Sequence, residues 1–247
     1  MKNKTLYVNG CSFAYGMGIG LEEPDNIAGR FSASLSKFIG YEDMNVSIPG
    51  SCNQRIARRT ALDLIKYKPD IAIIIWSDPA RFEFVMDASR RYRHNEDCEQ
   101  VRPLSVYSYP QKQKHAFLEY YNTISSSQRD IFFTLYNMLA TKNIADSLNI
   151  PCIQIPFKGT FHRELEKVKL SRNPDYLNSI EEFLEILSSD SFIYGINDDV
   201  SFDSICGCDV DSSLLSTVKN QEGHPNKLAH DIMADWLHQL LLEQSLV

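Results

Sequence analysis

No stretch of this sequence is apolar for long enough to cross a membrane. The longest such run, Ile71 to Trp76, falls far short of the roughly 20 residues a spanning helix needs. Basic charge is also short: 25 Lys and Arg stand against 32 Asp and Glu, for a net charge of −7. A protein built to hold nucleic acid carries the opposite excess. The local basic runs, "RIARRT" from Arg55 and "RRYRH" from Arg90, therefore read as solvated surface. The six cysteines lack paired metal spacing, and "CGC" (Cys206 to Cys208) has neither the two-residue gap nor the second knuckle of a zinc site. Free, mostly buried thiols are the expectation. The opening "MKNKT" runs straight into a strand-like segment with no apolar stretch and cleavage site, so a cytoplasmic protein is expected, with neither nucleic acid nor membrane as partner. Repeats and linkers are missing too.

Phosphate loops are absent in the same way. The glycines of "GMGIG" (Gly16 to Gly20) begin six residues after Gly10, at the wrong spacing for a dinucleotide fingerprint, and Leu21-Glu22 stands where a P-loop has Lys-Ser/Thr.

What is present is an ordinary globular composition, 43% hydrophobic and 23% charged, and an alternation of strand and helix signals. "TLYVNG" reads as a first strand ended by Gly10. "NIAGRFSASLSKFIG" has helical spacing in Ile27, Phe31, Leu35 and Phe38. "MNVSIPG" is a short strand stopped by Pro49 and Gly50. "NQRIARRTALDLIKY" is an amphipathic helix with Ile56, Leu62 and Ile65 toward the core, and "DIAIIIWS" is a central buried strand. A segment at about 87–114, rich in Arg, Tyr, Pro and Gln, has no period and reads as a lid or insertion. Within it Arg90, Arg91, Tyr92, Arg93, Tyr107 and Tyr109 suit a substrate-selecting wall or a surface excursion. A helical stretch follows from about 115 to 148, with a break or cap at Ser125–Ser127. Then come a fourth strand in "IPCIQIPF", a possible fifth in "DSFIYGI", and a last helix from near Pro225 with Leu228, Ile232, Trp236 and Leu240 on one face. Strand and helix in alternation with short joints predict one domain, residues 1–247. Its fold class is α/β, a three-layer α/β/α sandwich on a mostly parallel sheet.

Sites in such sheets form at the carboxyl ends of the strands. That rule selects the loops after the first three. Ser12, just past Gly10, is a candidate nucleophile, and its own N–H is a candidate oxyanion donor. Serine also caps turns and helices, which is the plain alternative. His224, in "NQEGHPNKLAH", is a candidate base, and Glu222 could accept from its other ring nitrogen or simply be a solvated first-turn carboxylate. Gly50 offers a second N–H, and Asn53 a side-chain donor or an N-cap. Ser77, Asp78 and Arg81 close the third loop, Arg81 also suiting an ion pair with Glu83.

Taken together these blocks resemble the SGNH (GDSL-type) serine hydrolases. "GCSF" matches the nucleophile block, "NVSIPGSCN" the glycine-donor block and "EGHPNKLAH" the histidine block, H-P-N included. The resemblance implies a flavodoxin-like sandwich of SGNH-hydrolase type and an esterase with Ser12 as nucleophile and His224 as base. The substrate it implies is a small-molecule or glycan ester, with no metal or organic cofactor. Two blocks depart from the pattern. Ser77-Asp78 stands where the family has an asparagine donor, and Gln221 stands three before the histidine where the family has Asp. A non-catalytic binding module, and acyl transfer through the same residues, are the alternatives those departures leave.

Overall fold

The computed structural model describes residues 3–81, 83–85, 101–103, 126–156, 159–170, 174–196, 200–218 and 221–247. The expected wall of Arg90, Arg91, Tyr92, Arg93, Tyr107 and Tyr109 lies outside them.

Strand β1 is Thr5–Gly10. A four-residue helix, α1 (Ser12–Tyr15), follows it at once. Helices α2 (Glu23–Gly29) and α3 (Phe31–Ile39) come next, then β2 (Glu42–Asn45), α4 (Asn53–Tyr67) and β3 (Ile71–Trp76). Strands β4 (Glu83–Val85) and β5 (Val101–Pro103) pair antiparallel on their own. Helix α5 (Ser127–Ser147), capped by the Ser126 hydroxyl, leads to β6 (Cys152–Pro156), α6 (Thr160–Lys169) and α7 (Pro174–Ser188). The chain closes with α8 (Phe202–Cys206), a 3₁₀ turn (Ser212–Leu214) and α9 (Lys227–Glu243).

Four strands form one parallel sheet in the order β2-β1-β3-β6. Successive side chains of a strand point to opposite faces, and here both faces are covered. Leu6, Val8, Ile71, Ile73 and Ile75 pack with Phe31, Leu35, Phe202, Met233 and Leu237 from α3, α8 and α9. Tyr7, Ala72, Ile74 and Trp76 pack with Ile56, Leu64, Ile131, Leu135 and Met138 from α4 and α5. The result is an α/β/α sandwich. Among the described residues no helix is long and apolar enough to cross a membrane. Cys11, Cys52, Cys152, Cys206 and Cys208 are buried and form no disulfide among the described residues.

Several expectations need correction. The first long helix is two, because Arg30 turns extended between them and buries its guanidinium on Asp43 at 2.9 Å. The second strand ends at Asn45, and "DSFIYGI" contributes only a single bridge, Ile193 to Gln154. Leu62 and Ile65 face outward, 57% exposed each. Helix α4 instead turns inward a stripe of Ile56, Ala57, Thr60, Asp63 and Leu64. Two polar residues hold that face through partners across it: Thr60 accepts from Asn9 Nδ2 at 2.9 Å, and Asp63 accepts from the Tyr7 hydroxyl at 3.2 Å and from Arg59 at 2.7 Å. In α9 the buried stripe is Ala229, Met233, Ala234 and Leu237, leaving Leu228 outside it.

The register brings three loops together. Gly10 pairs with Ile75, and Ile48 N–H reaches Gly10 O at 3.3 Å. The loops after β1, β2 and β3 therefore leave the same edge of the sheet side by side.

Candidate active site

Gly10 lets the chain turn hard into α1. A Cβ there would lie 2.7 Å from Ala14 Cβ and 2.8 Å from Ile75 O, so the close approach of α1 to β3, rather than a left-handed backbone, requires glycine. Asn9, wholly buried, braces the same corner: its Oδ1 accepts from Gly10 N–H at 2.9 Å and its Nδ2 donates to Ile56 O and Thr60 Oγ1. Ser12 is the first helical residue, so its amide has no preceding turn to bond.

His224 comes from the other end of the chain. Its segment is pinned before α9: Ser216 N–H donates to His224 O at 2.7 Å, Asn226 N–H to Leu214 O at 2.9 Å, and Leu215 bridges Pro225. Asn226, not Pro225, caps α9, accepting from Ala229 N–H at 3.2 Å. Phe13 meets the imidazole edge-on, ring centres 5.5 Å apart.

Ser12 and His224, 212 positions apart, meet at 3.0 Å between Oγ and Nε2. The other ring nitrogen, Nδ1, lies 3.1 Å from the main-chain oxygen of Gln221. A carbonyl oxygen can only accept, so the hydrogen of a neutral ring sits on Nδ1. Nε2 then carries the lone pair, and the Ser12 hydroxyl donates to it. That is the proton arrangement a general base needs before a serine attack.

The remaining candidates divide. Glu222 does not orient the ring in this structure. It occupies the turn Gln221–His224, closed by His224 N–H on Gln221 O at 3.2 Å with Gly223 at φ +77°, and its side chain is exposed. The turn aims it at water. Asn53 is not an open donor either: its Nδ2 is engaged by Ser77 O at 3.1 Å and Thr134 Oγ1 at 3.0 Å, and its Oδ1 accepts from Ser77 N–H at 2.7 Å. It clamps the third loop to the start of α4. The Ser77 hydroxyl is sealed from solvent with no partner among the described residues. Asp78 turns back on its own loop, accepting from Ala80 N–H at 2.9 Å, and Arg81 N–H closes on Asp78 O at 3.1 Å. Gly50 takes φ +80° in the turn Ile48–Ser51, where Pro49 precedes it, a conformation natural to glycine. Among the described residues neither Ser12 N–H nor Gly50 N–H has an acceptor.

No family model matches the sequence, and no curated protein matches it. Solved structures do match over nearly the whole length. A protein assigned to the G-D-S-L lipolytic family, from Desulfitobacterium hafniense DCB-2, is 16% identical with a TM-score of 0.50, covering 97% of this chain and 100% of that one. The psychrotrophic esterase EstA from Pseudoalteromonas sp., in a structure inhibited by monoethylphosphonate, is 13% identical with a TM-score of 0.52, covering 98% and 99%. TesA is also 13% identical at 0.52, covering 99% and 100%. The chain has the SGNH-hydrolase fold.

On this SGNH scaffold two residues have roles that the sequence did not announce. One is Gln221, which meets the ring through its main chain. Every residue owns a carbonyl, so side-chain identity carries no signal of it; the glycine two positions on is the nearest hint of the turn. The other is His230, wholly buried behind the site. It stacks on Phe31, meets Phe202 edge-on, and its Nδ1 accepts from Phe31 N–H at 3.3 Å. Burial, with smaller contributions from Lys227 and His224, pushes its pKa down to about 3.

Proposed function

We propose that this chain is a serine esterase of the SGNH (GDSL-type) family, a single domain acting in the cytoplasm on O-acyl groups of a carbohydrate or another small polar ester. The observation that carries the reading is the 3.0 Å Ser12–His224 contact with Nδ1 fixed on an acceptor. Three matching sequence blocks and a neighbour described as an esterase inhibited by a phosphonate support it.

The chemistry is set by that geometry. His224 Nε2 takes the Ser12 proton as Oγ attacks the ester carbonyl, a step in which a positioned base contributes roughly 10²–10⁴-fold. The oxyanion meets the Ser12 and Gly50 N–H groups, each donor of this kind contributing about 10²–10³-fold. The imidazolium then protonates the leaving alcohol, and water, deprotonated by the same nitrogen, releases the acyl group. Among the described residues the main-chain oxygen of Gln221 is the group on Nδ1, and it orients the ring for this exchange.

The test is a fluorophosphonate probe with peptide mapping. Label is expected on Ser12, and Ser12→Ala should lose both label and turnover of a short-chain aryl ester while keeping its circular dichroism. A folded Ser12→Ala protein with parental turnover refutes the reading.

A further inference from the structure

We propose that Gln221 is a positioning residue whose side chain clamps the glycine loop against the histidine; the proposal rests on the Ser12–His224 reading. Its amide bonds two main-chain groups of one loop. Oε1 accepts from Gly18 N–H at 2.6 Å and Nε2 donates to Gly20 O at 3.0 Å. Those two partners also fix which way round the amide lies, since an N–H needs the oxygen and a carbonyl needs the NH₂. The same residue's carbonyl receives both His224 N–H, at 3.2 Å, and Nδ1.

The loop so held is already tied to the nucleophile. Gly16 and Met17 N–H both donate to Ser12 O, at 3.2 and 3.0 Å. Gly18, at φ +103°, lies directly on the histidine segment: a Cβ there would sit 2.6 Å from Pro225 O and 2.9 Å from His224 Cβ. A closed circuit results, from Ser12 through Met17 and Gly18 to Gln221, and from Gln221 to His224 and back to Ser12. Gly18 is the glycine this contact requires; a Cβ at Gly16 or Gly20 would instead meet Asn26 and Asp25. Of the side chains that reach, an amide alone offers a donor and an acceptor together; an ionised Glu supplies only acceptors and would set one against Gly20 O. The position where the family pattern has an acid thus holds a clamp in place of a charge.

The experiment compares parent, Gln221→Ala, Gln221→Glu and Ser12→Ala on a short-chain aryl ester, with circular dichroism of each. Gln221→Ala is expected to lose about 10- to 100-fold in kcat, the scale of a misplaced reacting group, with KM within about twofold. Gln221→Glu should be impaired at pH 8, and its kcat relative to the parent should recover as pH falls, because a protonated carboxyl regains the donor for Gly20 O. A general loss of stability would not produce that recovery, and if Gln221→Ala fails to fold, the isosteric Glu series decides alone. Parental kcat in Gln221→Ala, a loss in KM only, or Gln221→Glu at or above parental activity at pH 8 overturns the clamp. With Ser12→Ala inactive, those results sink the clamp only; parental turnover in Ser12→Ala sinks the dyad and the clamp with it.

Discussion

His230 gives the fold an acid sensitivity whose size is set by its surroundings. Its ring is wholly buried among Phe31 and Phe202, and Phe31 N–H points at its Nδ1. A second proton would have to go on Nδ1, against that donor and away from water, so the charged form is penalised twice. The folded pKa is about 3 against an ordinary 6.5. Between those values the unfolded chain binds the extra proton and the folded one does not, so stability is complete above pH 6.5 and falls as pH drops below it. At 1.36 kcal/mol per unit, the gap sets a ceiling of about 5 kcal/mol, reached below pH 3, and a loss of about 2 kcal/mol by pH 5. Carboxylates titrate over part of this range too, so the measurement is a difference. Urea unfolding of the parent and His230→Asn, whose Oδ1 can still accept from Phe31 N–H, should be compared at pH 7, 6 and 5. Asn lacks the titration, so the parent's advantage at pH 7 should shrink by about 2 kcal/mol at pH 5. Parallel pH dependence in the two proteins would refute the argument.

Where side chains point sets two further outcomes. Glu222→Gln should leave kcat within about twofold of the parent in steady-state kinetics, since a solvated rim charge away from the ring nitrogen gives the transition state little; a loss near the 10⁴-fold seen when a triad's acid is neutralised would make Glu222 the orienter after all. Asn53→Ala should strand the buried Ser77 N–H and Ser77 carbonyl and lower unfolding free energy by about 2–4 kcal/mol in urea, the cost of one or two buried polar groups left unpaired. Unchanged stability would mean water replaces the amide.

The sequence was legible where burial and chemistry agree. Thr5–Gly10 and Asn53–Tyr67 have the bounds their patterns suggest, because apolar β-branched runs and a Pro–Gly-punctuated helix leave little choice, and the strand expected over Asp70–Ser77 is shorter by one residue at each end. It misled where a polar residue is buried with a partner. Counting apolar residues turns Leu62 and Ile65 of α4 inward; Thr60 and Asp63 take that face because Asn9 and Tyr7 lie opposite. The same holds for Asn53, whose position suits an oxyanion donor until Ser77 and Thr134 are seen to occupy it. Partners across the fold are not local in sequence, so no period or spacing reports them.

The exchange of an acid for Gln221 has a physical logic. A triad carboxylate does two things: it selects the Nδ1–H tautomer, and it stabilises the imidazolium that forms on attack. A main-chain carbonyl does the first fully, since it can only accept. It does the second with a dipole instead of a charge, which is weaker at the moment of proton transfer. A carbonyl, unlike a carboxylate, carries no charge to be desolvated beside a half-buried ring and cannot be protonated away in acid. What such a site loses in charge it must recover in position, because a dipole acts only over short range and in one direction. Here a single amide side chain bonds the histidine turn to the glycine loop, and Gly16 and Met17 N–H tie that loop to the Ser12 carbonyl. A ring oriented by a dipole calls for tight geometry, and that is what the proposed Gln221 clamp would supply.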